Sequence, residues 1–256
     1  MPRWDPATYR QFADERARPF VDLTARIGAS APRTVVDLGC GAGELTASLA
    51  QRWPEASIEG IDSSAEMIES ARTLAAERLT FRLGDATRWR PDRPVDVVVS
   101  NAALQWIPDH RELLPGIVDR LAPAGWLAFQ VPGNVGAPSH RLLHELAADP
   151  RFAVATRGVE RLSSHEPETY LADLTALGCR VDAWETTYLH VLSGPDPVLR
   201  WISGTGARPV LQALDDTLRA EFVAEYRDLL NRAYPAEPYG TVLPFRRVFV
   251  VAQKES

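Results

Sequence analysis

The chain has 256 residues, 45% of them apolar and 24% charged, with a formal net charge of −6. Those values exclude a globally disordered chain. The 28 basic residues include one lysine, Lys254, and form no cluster, which argues against a nucleic-acid face. The two cysteines, Cys40 and Cys179, lie far apart and belong to no C-x-x-C pair, which excludes a disulfide framework and a structural zinc site. The longest apolar runs are strand-sized, too short to cross a membrane. Met1-Pro2-Arg3-Trp4-Asp5-Pro6 lacks the apolar run of a signal peptide. We expect a cytoplasmic protein with a small-molecule partner, no nucleic acid and no membrane. Composition leaves the oligomeric state open.

Short β-branched runs alternate with helical spacing through the first half. Strands are predicted over Thr34–Leu38, Ser57–Asp62, Leu79–Gly84, Val95–Ser100 and Trp126–Val131. Helices are predicted over 44–52 and 64–77, the second with Met67, Ile68, Ala71, Leu74 and Ala75 on one stripe. Ser63, with Glu66 three residues on, reads as its capping box. Strand–helix alternation argues a parallel sheet with helices on both faces, all strand C-termini on one ligand-binding edge. Residues 132–163 read as broken helix, and 166–177 as a short helix ended by Gly178. A long strand follows over 180–191, then a helical insert from Gly194 to Tyr234 and a last strand over 242–253.

The informative segment is Asp37-Leu38-Gly39-Cys40-Gly41-Ala42-Gly43-Glu44, which follows the first strand and opens a helix. Glycine permits the tight turn and a close approach of ligand to main chain. A dinucleotide fingerprint needs glycine at 44. Glu44 stands there and would repel a pyrophosphate, which disfavours a nicotinamide cofactor. Asp37 suits a cationic group instead. Asp62 closes the second strand 21 residues beyond Gly41, where a carboxylate accepts from ribose hydroxyls. Asp85 follows the third strand and can accept from an adenine amine. Each residue taken singly also reads as a turn or cap.

Together these motifs resemble the class I S-adenosylmethionine-dependent methyltransferases over residues 30 to 131. The resemblance implies a Rossmann-like fold: a mostly parallel seven-stranded sheet with helices on both faces and a helical cap insert. It implies one domain over 1–256, with a core at 30–131 and cap segments at 1–20, 133–163 and 194–236. It also implies S-adenosylmethionine as cofactor, held by Asp37, Gly39, Gly41, Asp62, Asp85 and Asn101. Ala102 and Ala103 stand where enzymes methylating amide or adenine nitrogens carry two prolines, so that chemistry is not expected.

Further segments look like the trans-aconitate 2-methyltransferase family. They are Trp4-Asp5-Pro6 with Tyr9, Phe12 and Glu15–Pro19; Asn101–His110; Trp184–His190; Trp201–Pro209; and Phe249–Ala252. That family esterifies one carboxylate of a tricarboxylate. A carboxylic acid of pKa about 4 is already ionised at neutral pH and needs no general base. No catalytic acid–base residue and no metal are therefore expected. The substrate's other carboxylates need fixed donors. The candidates are Arg208 first, then Arg247, whose bland reading is a solvated strand face, with Tyr188 and His190 on one strand face. Gln105 and Trp106 are expected at the methyl-transfer edge, with a core role as the alternative for Trp106. The pair His140 and His144 at i, i+4 lacks the glutamate of a zinc helix, since Arg141 stands there. A different acid or hydroxyl acceptor, or a nucleotide-binding module without turnover, would be the competing functions.

Overall fold

The buried strands follow directly from apolar runs. In a computed structural model, which describes residues 13–159 and 161–255, Thr34–Leu38 (β1) and Val95–Asn101 (β4) pair in parallel. Val35, Val36, Leu38, Val97, Val98 and Val99 are all buried. Strands covered on both faces have no need of alternating polarity. Trp4, Tyr9 and Phe12 lie outside the described residues.

Helix α1 spans Ala13–Thr24, and α2 spans Glu44–Arg52 after β1. Ser57–Asp62 (β2), Ala65–Arg72 (α3) and Leu79–Leu83 (β3) follow, then β4, Leu114–Asp119 (α4) and Leu121–Pro132 (β5). Next come Pro138–Ala147 (α5), Pro150–Ala153 (α6), Pro167–Ala176 (α7) and Cys179–Leu192 (β6). Pro197–Ser203 (α8), Arg208–Ala213 (α9) and Asp216–Ala233 (α10) precede Ala236–Glu237 (β7) and Gly240–Lys254 (β8). The sheet runs β3-β2-β1-β4-β5-β8-β6. The first five strands are parallel, and β8 is antiparallel to β5. The seven expected strands are all present. The two-residue β7, paired to β8, is an eighth that was not foreseen.

Two local expectations are corrected. The cap of α3 is Ser64, not Ser63: its backbone is extended and its hydroxyl accepts from the Met67 amide at 3.3 Å. Glu66 accepts from that hydroxyl at 2.9 Å, so the reciprocal box does not form. Helix α3 also stops at Arg72 rather than 77, and Leu74 is 37% exposed. Among the described residues, no helix is long and apolar enough to cross a membrane.

The chain divides into two compact units. One holds Gly133–Leu162 and Thr187–Arg246, and the other the remaining described residues. The core of the latter gathers Leu38, Val98, Leu127, Phe129, Tyr170 and Val250.

Candidate functional site

The C-terminal ends of parallel strands leave unpaired backbone groups and the turns that follow them. After β1, Gly39 adopts φ +85° and Gly41 φ +56°, a region that costs L side chains energy. A Cβ on Gly39 would sit 2.1 Å from the Cβ of Ala103, whereas one on Gly41 would meet nothing within 4 Å. Gly39 is therefore fixed by packing, and Gly41 leaves open space beside the main chain.

Two carboxylates frame this turn. Asp37 is 2% exposed; its Oδ2 accepts from Thr46 Oγ1 at 2.6 Å. Its Oδ1 is buried with no partner among the described residues. Burial pushes the Asp37 carboxyl up to about 7, with Thr46 opposing and the charge of Asp62 adding to the rise. A buried anionic oxygen without a donor is costly unless a cation or donor reaches it. Asp62 Oδ2 accepts the Gly41 amide at 2.9 Å, and Oδ1 accepts the Ser64 amide at 2.9 Å. Burial also raises the Asp62 carboxyl, opposed by the amides of Ser64, Gly41 and Ser63. A carboxylate offers about four acceptor positions, so capacity remains for a ligand hydroxyl.

Beyond β3, Asp85 caps a short turn, its Oδ1 accepting from the Thr87 amide and hydroxyl, both at 2.8 Å. Ile61, Arg82, Asp85, Arg88 and Trp89 line a hollow there of about 310 Å³. Beyond β4, Asn101 Oδ1 accepts from Gln130 Nε2 at 2.9 Å. Gln130 Oε1 in turn accepts from Arg247 at 3.2 Å. The fully buried Gln130 thus joins two predicted residues that the sequence reading kept apart. A lone glutamine in the apolar run Ala128-Phe129-Gln130-Val131 was the available signal, and it was missed. So was Thr46, the partner of Asp37.

Arg247 does not lie on a solvated face; it is 4% exposed. Gln105 is buried, with Nε2 donating to the Ala102 carbonyl at 2.6 Å and its main-chain carbonyl accepting the Ser163 amide at 3.0 Å. Trp106 is half-buried rather than core. Ala102 takes φ +53°, a strained value for alanine at the edge where strand β4 ends.

The second unit holds the other candidates. Tyr188 and His190 are buried and stack at 6.3 Å, with Trp201 stacking on His190 at 4.7 Å. Arg208 is half-buried and opens α9, its amide donating to the Thr205 carbonyl at 3.1 Å. His140 is buried against Gly206, where a Cβ would come within 2.7 Å of Nε2. Among the described residues no group of three His, Cys, Asp or Glu could hold a metal ion.

Residues 35–125 match a family model described as a methyltransferase domain. The trans-aconitate 2-methyltransferase of Streptomyces coelicolor is 54% identical, over 99% of this chain and 87% of its own length. That of Streptomyces avermitilis is 52% identical, over 100% of this chain and 98% of its own. The YcgJ protein of Bacillus subtilis has a similar fold, with TM-score 0.63 at 16% identity over 93% of this chain and 99% of that one. A phosphoethanolamine N-methyltransferase of Haemonchus contortus in complex with S-adenosyl-L-methionine gives 0.61 at 17% identity, over 97% and 56%.

Proposed function

The chain belongs to the trans-aconitate 2-methyltransferase family, and from that premise we propose that it forms a monomethyl ester of trans-aconitate using S-adenosylmethionine. The observation that carries this reading is identity of about half the residues across both units, not over the glycine turn alone. Cytoplasmic location is part of the same proposal.

The residues present fit the cofactor. The partnerless buried oxygen of Asp37 suits a cationic ligand, the space at Gly41 admits one, and Asp62 keeps acceptor capacity for ribose hydroxyls. Asp85 and Asn101 would complete that set. When bound, S-adenosylmethionine supplies an electrophilic methyl group on a sulfonium.

The remaining work is orientation. The acceptor carboxylate is ionised at neutral pH, so no residue has to remove a proton. Holding its oxygen in line, and keeping water from it, accounts for the rate. We assign Arg208, Tyr188 and His190 to the carboxylates that do not react, with Arg247, Gln105 and Trp106 at the transfer edge. A guanidinium pairs both oxygens of a carboxylate at once, which makes Arg208 the principal anchor.

The test is incubation with S-adenosylmethionine and a panel of tricarboxylic, dicarboxylic, fatty and phenolic acceptors, read by mass for methyl transfer. A trans-aconitate monomethyl ester as the dominant product supports the proposal. Preferred methylation of a fatty acid or phenol overturns it.

A further inference from the structure

The helical unit contains a cavity of about 280 Å³ that the proposed reaction does not use. His144, Ala147, Thr156, Arg157, Arg161 and Val210 are among its walls. The size fits a small organic acid. Its polar lining is mostly basic. Thr156 adds no free proton, because its hydroxyl already donates to the Ala147 carbonyl at 2.8 Å.

The neighbouring arginines make a contrast. Arg151 binds Asp149, Glu221 and Glu225 at 2.8–2.9 Å, and Arg141 binds Glu145 at 2.9 Å. Neither Arg157 nor Arg161 has a carboxylate within ion-pair distance among the described residues. Among the described residues, two guanidiniums line one hollow without a counter-ion, while Arg141 and Arg151 are paired. His144 is half-buried at the end of α5. Burial holds its imidazole below the usual range, and the charge of Arg161 lowers it further, so the two groups interact.

We propose that this cavity binds a small polycarboxylate, a tricarboxylate in particular, through Arg157 and Arg161 with His144 beside them. Planar guanidiniums pair carboxylates in a forked geometry, and two of them at one hollow suit an anion with more than one carboxylate. The anion site rests on the cavity and its unneutralised arginines. The choice of tricarboxylate rests on the family reading.

The probe is tricarballylate, a saturated tricarboxylate, titrated at neutral pH and fixed ionic strength into the full chain carrying 13C-labelled histidine. No methyl donor is present, so binding is read apart from turnover. The His144 resonance is assigned by its loss in His144→Gln. We expect it to shift saturably with a midpoint of about 1 mM or below. In Arg157→Gln/Arg161→Gln the midpoint should rise about tenfold or more, at unchanged thermal stability. Should the double variant unfold, Arg157→Gln alone carries the comparison. A parallel titration with inorganic phosphate tests the class: an equal midpoint overturns the tricarboxylate assignment. No saturable shift with either anion, or the same midpoint in the variant, overturns the site. Ester formation from trans-aconitate without any His144 shift leaves the proposed reaction standing and removes only this cavity.

Discussion

Asp62 and Arg208 each carry a prediction that belongs to a single residue. Both oxygens of Asp62 are engaged by backbone amides, at Gly41 and Ser64, so the carboxylate holds the glycine turn in shape as well as facing a ligand. Asp62→Ala should therefore weaken S-adenosylmethionine binding about ten- to hundredfold and also cost about 1–2 kcal/mol of stability. Calorimetric affinity equal to wild type would remove Asp62 from the cofactor site. Arg208 opens α9, its amide donating to the Thr205 carbonyl at 3.1 Å. Arg208→Ala should lower kcat/KM for trans-aconitate by about 2–4 kcal/mol, Arg208→Lys by less, and barely change cofactor affinity. A monocarboxylate acceptor should lose much less, because the deleted contact was never made. Equal losses on mono- and tricarboxylates would make Arg208 structural.

At the scale of elements, legibility tracked how far local pattern determines geometry. Strands β1 and β2 matched their expected limits, because a buried strand is simply an apolar run between turn residues. The cap of α3 slipped by one, since Ser63 and Ser64 have identical chemistry and only the extended backbone at Ser64 chooses between them. The helix ended early although Leu74 and Ala75 continued its stripe; the chain turns there instead, Ala76 bonding Leu79 in both directions. Arg247 does not follow the alternation of β8 because alternation signals a wet face only where one face is wet, and from Arg247 to Ala252 every residue of β8 is buried, so both faces are covered there. The glycine turn was legible in the cofactor site, whereas Gln130 and Thr46 were not, being visible only as partners across elements. Packing adds one test at this scale. Gly206 precedes α9 and faces the His140 ring, so Gly206→Ala should destabilise the chain by about 1–3 kcal/mol in urea unfolding. An unchanged midpoint and slope would show that the ring yields without cost.

For the molecule as a whole, buried titratable groups set opposing dependences of stability on pH. Burial holds His110 and His140 down at about 4 in the folded chain, against the usual 6.5. Between those values the unfolded chain binds protons that the folded chain does not, so stability falls as pH drops from 6.5 towards 4. Asp37 works the other way. Its folded value of about 7 lies above the ordinary 3.8, so the folded chain binds the extra proton, and this contribution is lost as pH rises through 7. In the window from 4 to 6.5 one carboxyl therefore offsets part of the histidine slope. Each uncompensated proton is worth about 1.4 kcal/mol per pH unit. Asp37→Asn removes the opposing proton while its amide oxygen can still accept from Thr46. Its stability should therefore decline more steeply on acidification than wild type, by up to about 1.4 kcal/mol per pH unit within that window. Urea unfolding at several pH values gives both slopes, and the comparison is indifferent to any constant change in stability that the substitution brings. Parallel curves would mean that Asp37 titrates normally, and with it would go the reading of its buried oxygen as a site waiting for a cation.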